Sequence, residues 1–338
     1  MALLLLAGCY SAPAELCRPG EHCRQLVISN GGTGDLMGVP LLVELDPTRI
    51  DYALVKDPKT DLRFHDAPTD QDVPFEIDHW VQDGVSDVWI RVPALIGYQP
   101  YTGIVMTYGP DAHGAPDPAA LWSDFELVSH LGAMPTNSVG AAYAPTATNV
   151  TEGAGDIGTA AQLAGTAGEM EQVDFQGAEA LLDGWPTFTL ELWVWPDYGS
   201  AADLGNQPAI YQKQGTIDGG RLFAAGGTDP VFQADLSFDN PSTEYLNAGV
   251  SLRQWNYLVY TYDNNVLQLY LDGQLASSEP KPSHAKLDAN ANPFYVGSSY
   301  NPMAGKLDEL RISKQPRSAD WILEQHLSAQ RVLITYSP

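Results

Sequence analysis

Apolar and polar residues alternate with a period of two along most of the chain. Leu26 and Ile28, then Val39, Leu41, Val43 and Leu45, then Val88, Ile90 and Val92, then Ile104, Met106 and Tyr108 each read as one face of a strand. Turn chemistry separates these runs at Asn30-Gly31-Gly32, Asp46-Pro47 and Asp83-Gly84. Pro93 closes the strand through Trp89, because proline has no N–H to give to a ladder. Further on, Leu267, Leu269 and Leu271 point one way and Val266, Gln268 and Tyr270 the other, and Asp272-Gly273 fits a hairpin turn. One stretch has a helical period instead. Ser318-Ala319-Asp320 precedes Trp321–Gln330, where Ile322, Gln325, His326 and Ala329 fall at helical spacing. The pattern predicts an all-β protein with a short C-terminal helix.

Composition sharpens this picture. A length of 338 residues suggests about two domains, and 44% apolar content lies in the globular range. Abundant Gly, Pro and Tyr (31, 25 and 16) suit many short strands joined by turns, as in sandwiches and barrels. No segment approaches the ~20 apolar residues of a membrane helix. The formal charge is −25, from 42 acidic against 17 basic residues, which repels nucleic acid and anionic lipid headgroups and excludes both as main partners. Cations, neutral glycans and basic protein patches remain.

The three cysteines bear on compartment. Leu6-Ala7-Gly8-Cys9 is a short apolar run ending in small residues and cysteine, the pattern of a bacterial lipoprotein signal cut before Cys9 and acylated on its thiol. The run Ala2–Ala7 is short, and no Lys or Arg precedes it. This reading puts the protein at the cell envelope, held to the membrane by lipid alone. Likeness to lipoproteins also implies sorting to the outer membrane, since Tyr10 and not aspartate follows the cysteine. Cys17 and Cys23 flank a five-residue stretch containing Pro19 and Gly20, so a small disulfide loop is expected in an oxidising envelope, two free thiols being the alternative.

Two resemblances follow the residues. The segment 25–111 carries Asp61-Leu62-Arg63-Phe64 with Asp66, then Pro74, Glu76, Ile77 and Trp80, then Val88-Trp89-Ile90, Val92-Pro93 and Tyr108-Gly109. In this order they resemble the domain-of-unknown-function family 2341, which implies a small β-domain of envelope proteins and no established chemistry. Residues 10–24 read as a tether and 112–120 as a Pro/Ala/Gly-rich linker. The segment 121–338 contains Phe188–Pro196, the hairpin Trp255–Gly273 and the closing run from Met303 to Ile322. These resemble the laminin-G-like branch of the concanavalin A-like lectin/glucanase fold, which implies a jelly roll. The expected architecture is two β-sandwich domains, the second a concanavalin A-like jelly roll.

That fold hosts lectins and glycoside hydrolases alike, so chemistry has to be sought residue by residue. A retaining glycosidase needs two carboxyls about 5–5.5 Å apart. Glu76-Ile77-Asp78 offers one pair on a shared face, but Trp80-Val81 stand where a further glutamate should be, and the pair lies in the other domain. Asp308-Glu309 places adjacent acids on opposite faces of a strand. The seven histidines show no metal-ligand spacing, and Gly153-Ala-Gly155-Asp-Ile-Gly158 reads as a loop into a strand rather than a dinucleotide fingerprint. In relatives of the second half, an aspartate in the opening segment and the aspartate of the closing strand sit near calcium. The matching positions are Asn137 and Asp308, the first having lost the charge. Among the aromatics, Tyr245 and Tyr300 lie beside Asn and Ser in apparent loops and are the candidates for stacking on a ligand, whereas Trp193 and Trp255 are expected in the core. The function expected is non-catalytic recognition of a glycan or an envelope or extracellular protein, with calcium as the one expected cofactor. A structural module with no small ligand is the alternative, and a divergent glycoside hydrolase the third reading.

Overall fold

The computed structural model describes residues 22–337 apart from 206, 214–218, 240–241 and 281–284. Cys9 and Cys17 lie outside the described residues, and Cys23 is disulfide-bonded. The alternating runs of the first half become strands as expected. Leu36–Leu45 pairs antiparallel with Ser86–Leu95, from Leu36 opposite Leu95 to Leu45 opposite Ser86, and Phe75–His79 runs along the other side of Ser86–Leu95. A five-stranded sheet packs on these three, in the order Ile334–Tyr336, His22–Ile28, Ile104–Tyr108, Leu62–Asp66 and Gln71–Asp72. Phe64 and Phe75 meet between the sheets with ring centroids 5.4 Å apart, edge to face.

Alternation understates how much of this half is buried. Val88, Trp89 and Ile90 are consecutive and at most 1% exposed, so both faces of their strand are covered. The C-terminal helix, Ala319–Ala329, explains another case. Ser318 caps it by accepting from the Trp321 amide at 3.2 Å, as its sequence position predicts. The helix lies along the free edge of Leu36–Leu45, where Ser328 Oγ accepts from the Leu42 amide at 2.8 Å and Gln325 Nε2 donates to the Pro40 carbonyl at 2.9 Å. Side chains of the helix thus stand in for the missing neighbour strand, which protects an edge that would otherwise template pairing.

The second half is a two-sheet sandwich. An eight-stranded sheet runs through Thr151–Ala154, Thr159–Leu163, Gly305–Ser313, Phe188–Pro196, Asn256–Tyr262, Val266–Leu271 and Gln274–Pro280, with Leu127–Ser129 also paired to Gly305–Ser313. A seven-stranded sheet is ordered Ser242–Gly249, Asp229–Phe238, Gly219–Ala225, Ala209–Lys213, Phe294–Ser298, Glu171–Gln176 and Ala144–Thr148. Leu190, Leu192, Tyr260 and Leu269 from one sheet meet Leu222, Phe232, Phe294 and Val296 from the other in a single core.

The two halves share a second core. Trp193, Tyr257, Val259 and Tyr270 are on the outward side of the eight-stranded sheet, and they cluster with Trp89, Trp122, Phe125, Ile157 and Trp321. The segment 112–120 that joins the halves is packed rather than free: Ala112 is 2% exposed, and the Gly114 amide donates to the Thr60 carbonyl at 2.8 Å. A β-carbon on Gly114 would sit 1.5 Å from the Leu62 carbonyl oxygen, so only glycine fits there. Among the described residues no helix is long and apolar enough to cross a membrane.

Candidate functional site

Tyr245 and Tyr300 are both exposed, at 48% and 74%, but they are not neighbours. Tyr245 is not in a loop: it lies on the edge strand Ser242–Gly249, paired opposite Asp235. Tyr300 follows Phe294–Ser298, in a turn where Ser298 Oγ accepts from the Tyr300 and Asn301 amides at 3.1 and 3.0 Å. Three strands stand between those two in the sheet. Trp193 is core, as expected, whereas Trp255 is half-buried and stacks its edge on Trp195 at 5.8 Å.

The face that carries Tyr245 is open along its edge strand, where Tyr245 and Asn247 are exposed, whereas Asp235 and Tyr295 are buried. Phe232, Ala234, Leu236, Leu246 and Ala248 point into the core, so the alternate positions Gln233, Asp235, Tyr245 and Asn247 point outward. Their side chains form a cross-strand chain. Arg221 Nη2 donates to Gln233 Oε1 at 2.8 Å, Gln233 Nε2 donates to Asn247 Oδ1 at 3.0 Å, and Arg221 also pairs with Asp235 at 2.9 Å. Further along, Tyr295 OH and Ser298 Oγ each donate to Gln212 Oε1 at 3.2 Å. The surface offers planar amides, a guanidinium and an aromatic ring at strand spacing, which suits hydrogen bonding and stacking with a flat polar ligand.

The two calcium candidates have other work. Asn137 Oδ1 accepts from the Val128 and Val139 amides at 3.3 and 3.1 Å, and its Nδ2 donates to the Ala142 carbonyl at 2.6 Å. Asp308 Oδ2 accepts from the Asp156 and Ile157 amides at 3.0 and 3.1 Å, while Oδ1 is buried without a hydrogen-bond partner. They share no hydrogen-bonding partner among the described residues. Both the carboxamide and the carboxylate accept from backbone amides of adjoining loops. The Gly153–Gly158 turn has its explanation here. Its amides wrap the carboxylate of Asp308, and a β-carbon on Gly155 would come within 2.5 Å of Oδ2.

A different cluster forms where the halves meet. His130 follows the strand Leu127–Ser129 and lies 3.1 Å through Nε2 from Glu76 Oε2 and 2.6 Å through Nδ1 from Glu309 Oε1. Asp78 Oδ2 is 3.8 Å from Nδ1 and has no hydrogen-bond partner, although its side chain is only 8% exposed. Glu76 is fixed by Trp122 Nε1 and Ser138 Oγ, both donating at 2.6 Å. Glu309 is fixed by Arg311 Nη2 at 2.5 Å, and that guanidinium lies over Trp89 and Trp122 and donates to Gln325 Oε1 at 2.8 Å.

Opposite-face placement of Asp308 and Glu309 does not hold. Glu309 has φ of 54°, and the ladder with Phe188–Pro196 slips between Glu191 and Trp193. This β-bulge keeps Leu307 and Leu310 in the sandwich core and turns both acids toward the first half. A second slip, between Ile77 and His79, flanks Asp78. The spacing Leu307, Leu310, Ile312 was the legible sign, since an unbroken strand would place its apolar residues two apart.

The electrostatics follow from burial and crowding. Burial works against charge on His130, yet the carboxylates of Asp78, Glu309 and Glu76 hold the imidazole well above its ordinary pKa. Burial also works against the Glu309 carboxylate, but His130 and Arg311 bring it down to about 2. Burial pushes Asp78 up to about 7 despite His130, and burial with Glu309 and Asp78 nearby pushes Asp308 well above the carboxylate range. With side-chain exposures of 14% for His130 and 1% for Glu309, a sugar ring has no place between these groups. Asp78, His130 and Glu309 each offer one ligand atom, all within 4.8 Å of one another.

Comparison with known proteins bears on the fold. No curated protein matches the sequence. Among solved structures, the binding domain of Paraclostridial Mosquitocidal Protein 1 is 13% identical with a TM-score of 0.48, covering 60% of this chain and 51% of that one. The receptor binding domain of botulinum neurotoxin D is 14% identical with a TM-score of 0.47, covering 62% and 53%. Domain 4 of AbnA, a GH43 extracellular arabinanase from Geobacillus stearothermophilus, in complex with arabinotriose, is 18% identical with a TM-score of 0.41, covering 56% and 91%. This chain thus spans about half the length of the two toxin domains. At sequence level, residues 168–323 match the laminin G family described as the concanavalin A-like lectin/glucanases superfamily, and form a domain of that kind.

Proposed function

We propose that this protein is a non-catalytic recognition module, held at the cell envelope by lipid on Cys9, that takes a glycan or an extended protein ligand on the outer face of its seven-stranded sheet. The observation that carries the reading is the cross-strand row Arg221, Gln233 and Asn247 beside exposed Tyr245, on the one sandwich face that the first half leaves uncovered. Side chains already aligned by neighbouring strands lose little freedom on binding, so the face is preorganised. The envelope setting and the acidic surface, −25 in formal charge, suit neutral glycans better than polyanions.

The test is a glycan array with the full chain, followed by calorimetry on any hit with wild type, Tyr245→Ala and Gln233→Ala. Loss of at least tenfold in affinity in both variants is expected. A glycan bound with unchanged affinity by both variants removes this face from the account. The structural-module reading has one observation in its favour, the apolar core shared by the two halves. That apolar surface is buried inside the molecule, where it joins the halves and does not await a partner.

A further inference from the structure

We infer that Asp78, His130 and Glu309 form a binding site for a divalent first-row transition-metal ion at the junction of the two halves. One imidazole nitrogen and two carboxylate oxygens make a donor set suited to such ions, and the three atoms lie within 4.8 Å of one another. Asp78 Oδ2 is the independent sign. It is buried, points at His130 Nδ1 from 3.8 Å and has no hydrogen-bond donor. A buried carboxylate oxygen without a donor is costly unless something else occupies its lone pairs.

The surroundings match those of a metal-bound histidine. Such a ring donates its second N–H to a carboxylate, which fixes the tautomer and strengthens the ligand. Here Nε2 lies 3.1 Å from Glu76 Oε2, and Glu76 is itself locked by Trp122 and Ser138. Arg311 grips the other oxygen of Glu309, and Oε1 meets His130 Nδ1 at 2.6 Å, a hydrogen bond that the ion would replace. Charge points the same way. Glu76, Asp78 and Glu309 meet His130 and Arg311 here, so three acids share two cations. On binding, the Nδ1 proton and any proton on Asp78 leave to solvent, and the lone pairs of Nδ1 and of the two carboxylate oxygens go to the ion. The backbone at Glu309, at φ of 54°, is an uncommon conformation for glutamate, held where it aims the carboxylate at His130. The first half supplies Asp78 and the second supplies His130 and Glu309, so the ion would pin the halves together.

The experiment uses the full chain without an affinity tag, stripped with chelator and titrated with Co2+ as an optical probe, then with Zn2+ in competition. One Co2+ per chain with visible d–d absorption is expected, displaced by Zn2+, together with a thermal midpoint that rises with Zn2+. Asp78→Asn, checked for folding by circular dichroism and its metal-free midpoint, should lose the band. Glu76→Gln should weaken binding about 10- to 100-fold. Absence of the band in folded wild-type protein at millimolar Co2+ overturns the inference. So does a band that Asp78→Asn and Glu76→Gln both leave unchanged.

Discussion

On the eight-stranded sheet the outward positions include Trp193, Tyr257, Val259 and Tyr270, and all are 4% exposed or less. On the seven-stranded sheet they include Gln233, Tyr245 and Asn247, with Tyr245 at 48%. Apart from bulges such as that at Glu309, both sheets follow the same period-two pattern, and their inward faces share one core. What separates them is the character of the alternate residues. Aromatic and β-branched side chains on the first attract the whole N-terminal half as a cover, while amides and charges on the second keep water against it. One face of this sandwich is therefore given to stability, and the other is left to the recognition role proposed above.

The comparison breaks first, and most visibly, at Trp122. It fills the shared core, edge-on to Trp89 and Phe125, and also donates to Glu76. Trp122→Ala should cost about 5 kcal/mol in urea unfolding, cavity and lost hydrogen bond together. Arg311→Met comes next, at about 3 to 4 kcal/mol, because it leaves Glu309 and Glu191 buried with less compensation. The double variant Arg311→Met with Glu309→Gln should recover part of that loss, which distinguishes stranded charge from lost packing.

A smaller effect depends on pH. Glu324 is buried on the C-terminal helix, where its oxygens accept from the Gly31 amide at 2.9 and 3.1 Å, and burial pushes it up to about 7 from an ordinary value of 4.5. A carboxyl whose pKa is raised on folding stabilises fully below about 4.5, and that contribution is lost as the pH rises through about 7. Wild type should lose up to roughly 3 kcal/mol relative to Glu324→Gln between pH 4 and pH 8. Equal pH slopes for the two proteins would show that Glu324 stays charged in the fold. The smallest stability effect belongs to the open face. Tyr245→Ala should change stability by no more than about 0.5 kcal/mol while weakening binding of the proposed ligand at least tenfold. A destabilisation approaching that of Trp122→Ala would show that the open face is no less structural than the sealed one.

The sandwich was legible in the sequence because its signals are local. Alternation in Phe188–Pro196, the Asp272-Gly273 turn and the Ser318 cap each involve residues within a few positions of one another. The junction cluster was not legible in the same way. Glu76 reaches His130 across 54 residues and His130 reaches Glu309 across 179, so no spacing rule links them. Glu76 and Asp78 were visible only as a deficient glycosidase pair, and Asp308-Glu309 only as acids on opposite faces. The bulge at Glu309 reverses that second reading. Asp308 caps a glycine turn with one carboxylate oxygen, and the neighbouring Glu309 faces a histidine, a difference that no spacing in the sequence announces. Tyr245 stands out in the sequence as an aromatic beside polar residues, but nearby Gln233 and Asn247 carry no individual signal.

Pairing of His22–Ile28 with Ile334–Tyr336 has a consequence in time. Ile28 lies opposite Ile334 and Leu26 opposite Tyr336, so a strand is completed by one that is synthesised much later. At ribosomal speeds of about 5–20 residues per second, the interval is roughly 15 to 60 s. Throughout it, the nascent chain carries an unsatisfied strand edge, and the helix that guards Leu36–Leu45 has not yet been synthesised. Any pause or premature stop in the last stretch leaves two sticky edges at the opposite end of the polypeptide. The N-terminal half thus matures last despite emerging first, and its keeping until then falls to whatever escorts the unfolded chain.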